Sequence, residues 1–414
     1  MIDARTLSFI ILNRCDQEKI PVDTILTEVV DQHNQMDKRD KALMTSIVFG
    51  VLRWRNNLDW MISQVSKMPI KKMDIEVLNS IRIALFQIFF LDRIPVSAAV
   101  NSSVNLIKVS KPKWASGFVN GILRNIIRNK NHLRFPDSAS DPIQYLTTRC
   151  SFPEWMIHRW IKQIGFQNTE KRCYALNHIP PITLRTNTLK VNRQTLYESL
   201  ITLTEDIQNT KYASQGIQFF RPYVSINEMK PYQDGWFQVQ DEAAQLITDV
   251  LNPQPGEFIL DACAGFGGKT GHIAQNMQNK GTVMALDYQI DKLNQLKKQM
   301  ELLGVSNVII QHHDLTNPFI LSKSQQVDRI LLDAPCSGMG VLRRNPDTKW
   351  LVEPFQLSYY QQRQVLFLEQ LAPVLKPGGI LVYAVCSIEP EENEEVIYRF
   401  LSKNPEFTVI QNPH

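Results

Sequence analysis

No stretch of this sequence approaches the ~20 uninterrupted apolar residues that a membrane span requires. The longest candidate, Ile81 to Leu91, contains Arg82 and Gln87 and reads as a buried helix. The first residues carry Asp3, Arg5 and Arg14 and lack an apolar core, so neither an export signal nor a membrane partner is expected, and the expected location is the cytoplasm. The six cysteines (Cys15, Cys150, Cys173, Cys263, Cys336, Cys386) include no CxxC pair, which argues against a disulfide framework and against a tetrahedral zinc site. No metal is expected. In a reducing compartment each thiol defaults to a small buried hydrophobe. Internal repeats and low-complexity tracts are also missing.

What remains is an ordinary globular chain of 414 residues, 43% hydrophobic and 21% charged, long enough for two or three domains. The net charge of +4 is unevenly spread. Residues 1–135 hold 20 Lys and Arg against 12 Asp and Glu, a net of +8, whereas the remaining 279 residues hold 25 against 29, a net of −4. A basic front end suggests a polyanion gripped by the N-terminal part. A solvated basic face accounts for the charge equally well.

Residues 1–130 read as helices throughout. Apolar positions recur at helical spacing in Leu78, Ile81, Leu85, Ile88 and Phe89, and in Phe118, Ile122, Ile126 and Ile127. Pro95 is expected to open one helix and Gly117 to separate two others. Arg53, Arg55, Lys111, Lys113, Arg124, Arg128 and Lys130 lie between the apolar positions. The polar, proline-bounded stretch 135–142 reads as a linker. Residues 143–235 are mixed, with helices expected at 154–164 and 193–203 and a strand at 182–187. From 236 onward, short apolar runs at 258–262, 282–287, 307–311, 328–333 and 379–385 alternate with helical segments, the pattern of a doubly wound parallel α/β sheet. The division expected is therefore an all-α domain over 1–135, a small α+β connecting domain over 143–235 and a Rossmann-like domain over 236–414.

The first strand of the last domain runs into Asp261-Ala-Cys-Ala-Gly-Phe-Gly-Gly-Lys-Thr270, whose glycines at 265, 267 and 268 allow a sharp turn and close approach to a ligand. A Walker A loop would need glycine where Cys263 stands, and a dinucleotide fingerprint would need Gly or Ala where Thr270 stands. Asp287 ends the second strand, placed for both ribose hydroxyls of a nucleoside, and Asp314 follows the third, placed for an adenine edge. Three successive strand ends thus point to an adenosyl ligand.

The fourth strand leads into Leu332-Asp-Ala-Pro-Cys-Ser-Gly338 and the fifth into Val385-Cys-Ser-Ile388. C5 of cytosine is too electron-poor to attack a sulfonium methyl. A thiolate adding to C6 makes C5 enamine-like, and a carboxyl group near N3 and the exocyclic amine assists. Asp333, Cys336 and Cys386 meet these needs at the C-terminal ends of strands expected to be neighbours, roughly 4.8 Å apart. Either cysteine could be the nucleophile on these grounds.

The segment Asp333-Ala-Pro-Cys-Ser-Gly-Met-Gly-Val-Leu-Arg-Arg-Asn-Pro-Asp-Thr-Lys-Trp350 resembles motif IV of the Nol1/Nop2/Sun family of RNA cytosine-C5 methyltransferases, and 385–393 resembles its motif VI and the following segment. The front end, through Leu91-Asp-Arg-Ile-Pro-Val-Ser-Ala-Ala-Val-Asn101 and Phe118-Val-Asn-Gly-Ile-Leu-Arg124, is similar to the NusB-like RNA-binding domain. The bacterial branch of the family that joins these parts acts on 16S ribosomal RNA. The resemblance implies Cys386 as nucleophile, a part in product release for Cys336, and S-adenosylmethionine bound by Cys263, Ala264, Gly265, Phe266, Gly267, Gly268 and Lys269 with Asp287, Asp314 and Asp333. It implies small-subunit rRNA as the partner, and a monomer is expected. The same chemistry on tRNA, or a non-catalytic RNA-binding assembly role, are the alternatives. Where the family reads Ala-Pro in the cofactor loop, Gly265 and Phe266 stand here, and Phe407 to Ile410 is the strand candidate before the sequence ends at His414.

Overall fold

The computed structural model describes residues 3–33, 35–111, 113–321 and 326–410, which fall into two compact units. The first comprises Met1–Ile179 together with Met339–Pro354. Its helices are Ala4–Glu18, Val22–Gln32, Lys38–Ser63, Ile75–Phe90, Val96–Ser110, Lys113–Arg128, Pro142–Arg149 and Glu154–Asn177, with a short Thr348–Leu351. Four of them start where an aspartate can cap the first turn. The side chains of Asp3, Asp37, Asp74 and Asp141 accept the backbone N–H of Thr6, Arg39, Glu76 and Gln144. One apolar core, including Ile11, Ile47, Leu85 and Ile126, joins the first six helices.

Three expectations change here. Gly117 does not interrupt a helix but lies within Lys113–Arg128, at a position where a Cβ would meet open space. One interior glycine costs only ~1 kcal/mol, less than an amphipathic helix gains by burying its apolar face. The break before this helix falls at Lys111, whose backbone is extended. Arg53 and Arg55 belong to the interior. Arg53 is 6% exposed and donates to the Arg343 carbonyl at 2.8 Å, and Arg55 pairs with Asp16 at 2.9 Å. Exposed cations of this unit include Arg93, Lys108, Arg124, Arg128 and Lys130, while the Lys113 side chain lies outside the described residues. Finally, the helices of 142–177 pack in this unit, as does 339–354. Lys349 is 1% exposed, and its ammonium donates to the carbonyls of Arg53 (3.2 Å) and Ser151 (3.1 Å) and to Asn177 Oδ1 (2.7 Å).

The second unit comprises Pro180–Gly338 and Phe355–His414. Strands β1 (Ile182–Thr186), β2 (Thr204–Asn209), β3 (Gly216–Pro222) and β4 (Phe237–Val239) make a small antiparallel sheet in the order β2-β3-β1-β4. Strands β5 (Phe258–Ala262), β6 (Thr282–Asp287), β7 (Val308–His312), β8 (Val327–Asp333) and β9 (Leu375–Ala384) form the expected parallel sheet in the order β7-β6-β5-β8-β9. Successive side chains alternate faces. Leu260 and Leu332 enter one core with Leu368 and Phe400, while Ile259 and Leu331 enter another with Ile273 and Leu296. Covering both faces explains why these strands read as continuous apolar runs. No strand forms at 407–410; Phe407 packs on Phe400 with ring centroids 5.1 Å apart, and Val409 and Ile410 are exposed. Residues 411–414 lie outside the described residues. Among the described residues no helix is long and apolar enough to cross a membrane.

Candidate active site

The residues singled out from the sequence gather at the C-terminal ends of β5, β6 and β8 and just beyond β9, the edge where doubly wound sheets bind ligands. After β5 the chain turns through positive φ at Cys263 (63°), Gly265 (55°) and Gly267 (82°) before entering helix Gly268–Asn276. Gly267 is obligatory on two counts. Its φ lies in the left-handed region, and a Cβ there would sit 2.7 Å from Leu296 Cγ. Left-handed Cys263 is a strained non-glycine residue of the kind that clusters at functional sites. Burial pushes its thiol up, so it is a neutral packing group.

Asp287 is 6% exposed and holds the loop from below. One carboxylate oxygen accepts the N–H of Gly265 at 2.9 Å and the other that of Gln289 at 2.8 Å. Asp314 accepts the N–H of Thr316 at 2.9 Å, and this bond holds its carboxyl below the usual range. Lys269, in the first turn of the helix, reaches Asp333 at the end of β8 with Nζ–Oδ2 2.6 Å. Ala264, Gly268 and Phe266 complete the loop, with the Phe266 ring 55% exposed and Lys292 Nζ 5.6 Å from its centroid.

Register brings the two cysteines together. Asp333 of β8 is the partner of Ala384 of β9, and the Ala334 N–H donates to the Ala384 carbonyl at 2.9 Å. Cys336 and Cys386 follow a few residues on, with their sulfurs 3.1 Å apart. Cys386 is exposed and Cys336 half-buried. The hydrogen bond between them pushes Cys336 up, helped by burial, and holds Cys386 below the ordinary thiol range, helped by Lys269. Of the two sulfurs, the exposed Cys386 is therefore the one on which the thiolate is favoured, and Cys336 the one on which it is disfavoured. Among the described residues no group of three or more His, Cys, Asp or Glu side chains could hold a metal ion.

Several residues escaped the sequence reading. Arg185 of β1 is fully buried and spans to the glycine-rich loop after β5. It donates to the Gly268 carbonyl at 2.7 Å, to Gln275 at 3.1 Å, to Gln238 at 2.9 Å and to Gln240. Asp261, 1% exposed, accepts from Thr270 Oγ1 at 2.6 Å, and burial raises its carboxyl to about 7. Glu392, wholly buried, bonds the residues that follow both cysteines. Only Asp261 left a signal, its place at the end of an apolar strand.

Comparison with known proteins agrees with this architecture. Residues 248–414 match the family described as 16S rRNA methyltransferase RsmB/F, residues 2–128 the NusB family, and residues 152–226 an RsmF/B-like ferredoxin-like domain. The chain is 36% identical over 411 residues to a probable ribosomal RNA small subunit methyltransferase B of Synechocystis, covering 98% of this chain and 91% of that one. The corresponding probable methyltransferase B of Bacillus subtilis is 34% identical, with 92% of this chain and 85% of that one covered. A solved structure, a methyltransferase homolog protein from Pyrococcus horikoshii, is 31% identical with a TM-score of 0.55 over 63% of this chain and 82% of that one.

Proposed function

Because this chain belongs to the ribosomal RNA small subunit methyltransferase B family, we propose that it methylates C5 of a cytosine in 16S ribosomal RNA through a covalent bond between a cysteine sulfur and C6. The observation that carries this reading is the pair of sulfurs 3.1 Å apart at adjoining strand ends, one of them exposed. The labour divides along the chain. The helices of residues 1–135 grip RNA, and the unit that carries the parallel sheet holds the donor and does the chemistry.

When bound, S-adenosylmethionine supplies an electrophilic methyl group. The loop fits it, since its backbone turns sharply at three positions and leaves open space beside Gly265 above the buried Asp287 carboxylate. Cys263 to Lys269, with Asp287, Asp314 and Asp333, are the residues that would hold it. Cys386, as thiolate, forms a bond to C6, and the C5–C6 π electrons move onto the ring, making C5 nucleophilic. Asp333, steadied by Lys269, accepts from the exocyclic amine and, with a proton on its carboxyl, donates to N3 as the ring takes up charge. After C5 has gained the methyl group its proton passes to a water molecule, the C5–H electron pair restores the C5–C6 double bond, and the S–C6 bond breaks with its electrons returning to Cys386 as thiolate. Cys336 takes part in that release.

The test is a trap. Cys336→Ala should transfer methyl and then hold the adduct, giving a retarded protein–RNA band on a denaturing gel. Cys386→Ser should abolish transfer, because a serine hydroxyl is scarcely ionised at neutral pH, and the double variant should give no band. A band from Cys386→Ser reverses the two roles. No band from either, with activity kept in both, ends the covalent reading. Bisulfite sequencing of total RNA with and without the gene names the RNA, and a mark lost from tRNA alone overturns the 16S assignment.

A further inference from the structure

Beneath the two sulfurs lies a polar network that the reaction scheme does not use. Cys336 is followed by Ser337 and Cys386 by Ser387, and both serines turn inward, 5% and 8% exposed. Between them sits the side chain of Glu392, 0% exposed. Its Oε1 accepts the Ser337 N–H at 2.8 Å, and its Oε2 accepts the Ser387 hydroxyl at 2.5 Å and the Ser337 hydroxyl. Gln364, also 0% exposed, donates to Glu392 Oε1 at 3.2 Å and to the Pro335 carbonyl at 3.0 Å, so the residues on both sides of Cys336 are held. The Glu392 main chain is fixed as well, its carbonyl accepting from Tyr383 Oη at 2.6 Å.

A buried carboxylate is costly unless hydrogen bonds satisfy it. This one collects its bonds almost wholly from the two turns that carry the cysteines. We propose that Glu392 is a positioning residue that ties the Cys336 and Cys386 turns into one register and fixes which sulfur donates to the other. The inference rests on the covalent reading only for what the sulfur pair is used for.

The charges facing each sulfur are unequal. Cys336 has Glu392, Tyr360, Tyr383 and Cys386 as its titratable neighbours, with the backbone bond at Gly338 opposing them. Cys386 has Cys336, Asp333 and Lys269. A fixed anion on the Cys336 side disfavours a second negative charge there. Charge and register thus act in the same sense, leaving Cys386 as the thiolate.

The test measures iodoacetamide alkylation of each cysteine against pH, by peptide mass spectrometry on the full-length protein without RNA or methyl donor. In the unaltered protein Cys386 should label at lower pH than Cys336. Glu392→Gln keeps the acceptor for the Ser337 N–H, removes the charge and replaces the oxygen that accepts both serine hydroxyls by an amide donor, so the Cys336 midpoint should fall by about one pH unit. Ser387→Ala keeps the charge and cuts one arm, so the sulfur–sulfur bond loosens and the Cys386 midpoint should rise. A folded variant of either kind with both midpoints unchanged overturns the proposal, and if Glu392→Gln does not fold, Ser387→Ala decides alone. Shifted midpoints with no adduct from Cys336→Ala would leave the clamp standing and remove only the covalent reading.

Discussion

Lys269 Nζ lies 2.6 Å from Asp333 Oδ2, so the loop after β5 and the strand end before the Cys336 turn are joined by one ion pair. The same ammonium helps to hold Cys386 below the ordinary thiol range, and Asp333 acts in the opposite sense. Replacing Lys269 by Met removes the lowering influence and leaves the raising one. The acid limb of the pH profile for single-turnover methyl transfer should then move to higher pH, by roughly half a unit to one unit. An unmoved limb with a uniformly lower rate would mean that Lys269 only orients Asp333.

Asp287 engages the cofactor loop through the Gly265 N–H, and its remaining lone pairs are available to a ribose. Asp287→Ala should weaken S-adenosylmethionine binding by ~1.5–3 kcal/mol, the usual cost of losing hydrogen bonds to a charged group. Calorimetric titration reads this directly, and unchanged affinity removes Asp287 from the site.

Asp261 carries a pH dependence of stability. Its carboxyl is raised by burial from 3.8 to about 7, so the folded state favours the protonated form. That favourable contribution is fully present below about 4 and is lost as pH rises through 7, on the order of 4 kcal/mol in all. Asp261→Asn stays neutral throughout. It should be more stable than the unaltered protein at pH 8 and should flatten the decline between pH 4 and 7 in urea titrations. Equal stabilities at pH 8 would show that Asp261 ionises without cost.

Arg93, Lys108, Arg124 and Lys130 are exposed on the helical unit, and Lys130 Nζ stands 5.2 Å from the Phe89 ring centroid. If these cations meet phosphates, RNA affinity falls steeply with salt. Each Ala substitution at a contacting position should reduce the slope of log affinity against log salt by about one. A slope unaffected by all four changes places the RNA elsewhere.

The parallel sheet was legible because its strands are apolar on both faces and charge appears toward their ends, as at Asp287 closing β6 and Lys269 in the first turn of the helix after β5. The cysteine pair was legible because strand adjacency converts two distant short segments into neighbours. Arg185 and Glu392 were not. Arg185 stands among Thr and Leu in a strand that reads as half-exposed, and its partners at Gly268 and Gln275 lie more than 80 residues away. Glu392 belongs to Glu389-Pro-Glu-Glu392, which has the composition of a solvated acidic turn, yet Glu389 and Glu392 are both 0% exposed. Arg53 and Arg55 misled in the opposite direction, since charge counting cannot distinguish a cation facing solvent from one paired inside. Local patterns report periodicity and turns, whereas these roles depend on pairings made only after the chain has closed.

The inclusion of 339–354 in the first unit has a consequence for biosynthesis. A ribosome emits about 5–20 residues per second, so the 159 residues between Ile179 and Met339 delay that segment by roughly 8–30 s. Through this interval the carbonyls of Arg53 and Ser151 and the amide oxygen of Asn177 wait for Lys349, and the Leu52 carbonyl waits for Trp350. The N-terminal helices therefore cannot finish folding as they leave the tunnel. Their last contacts form only after β5 to β8, and the Cys336 turn with them, have been made. The first unit thus matures no sooner than the segment bearing Cys336, and on the function proposed above this discourages release of a nascent chain that grips RNA before it can modify it.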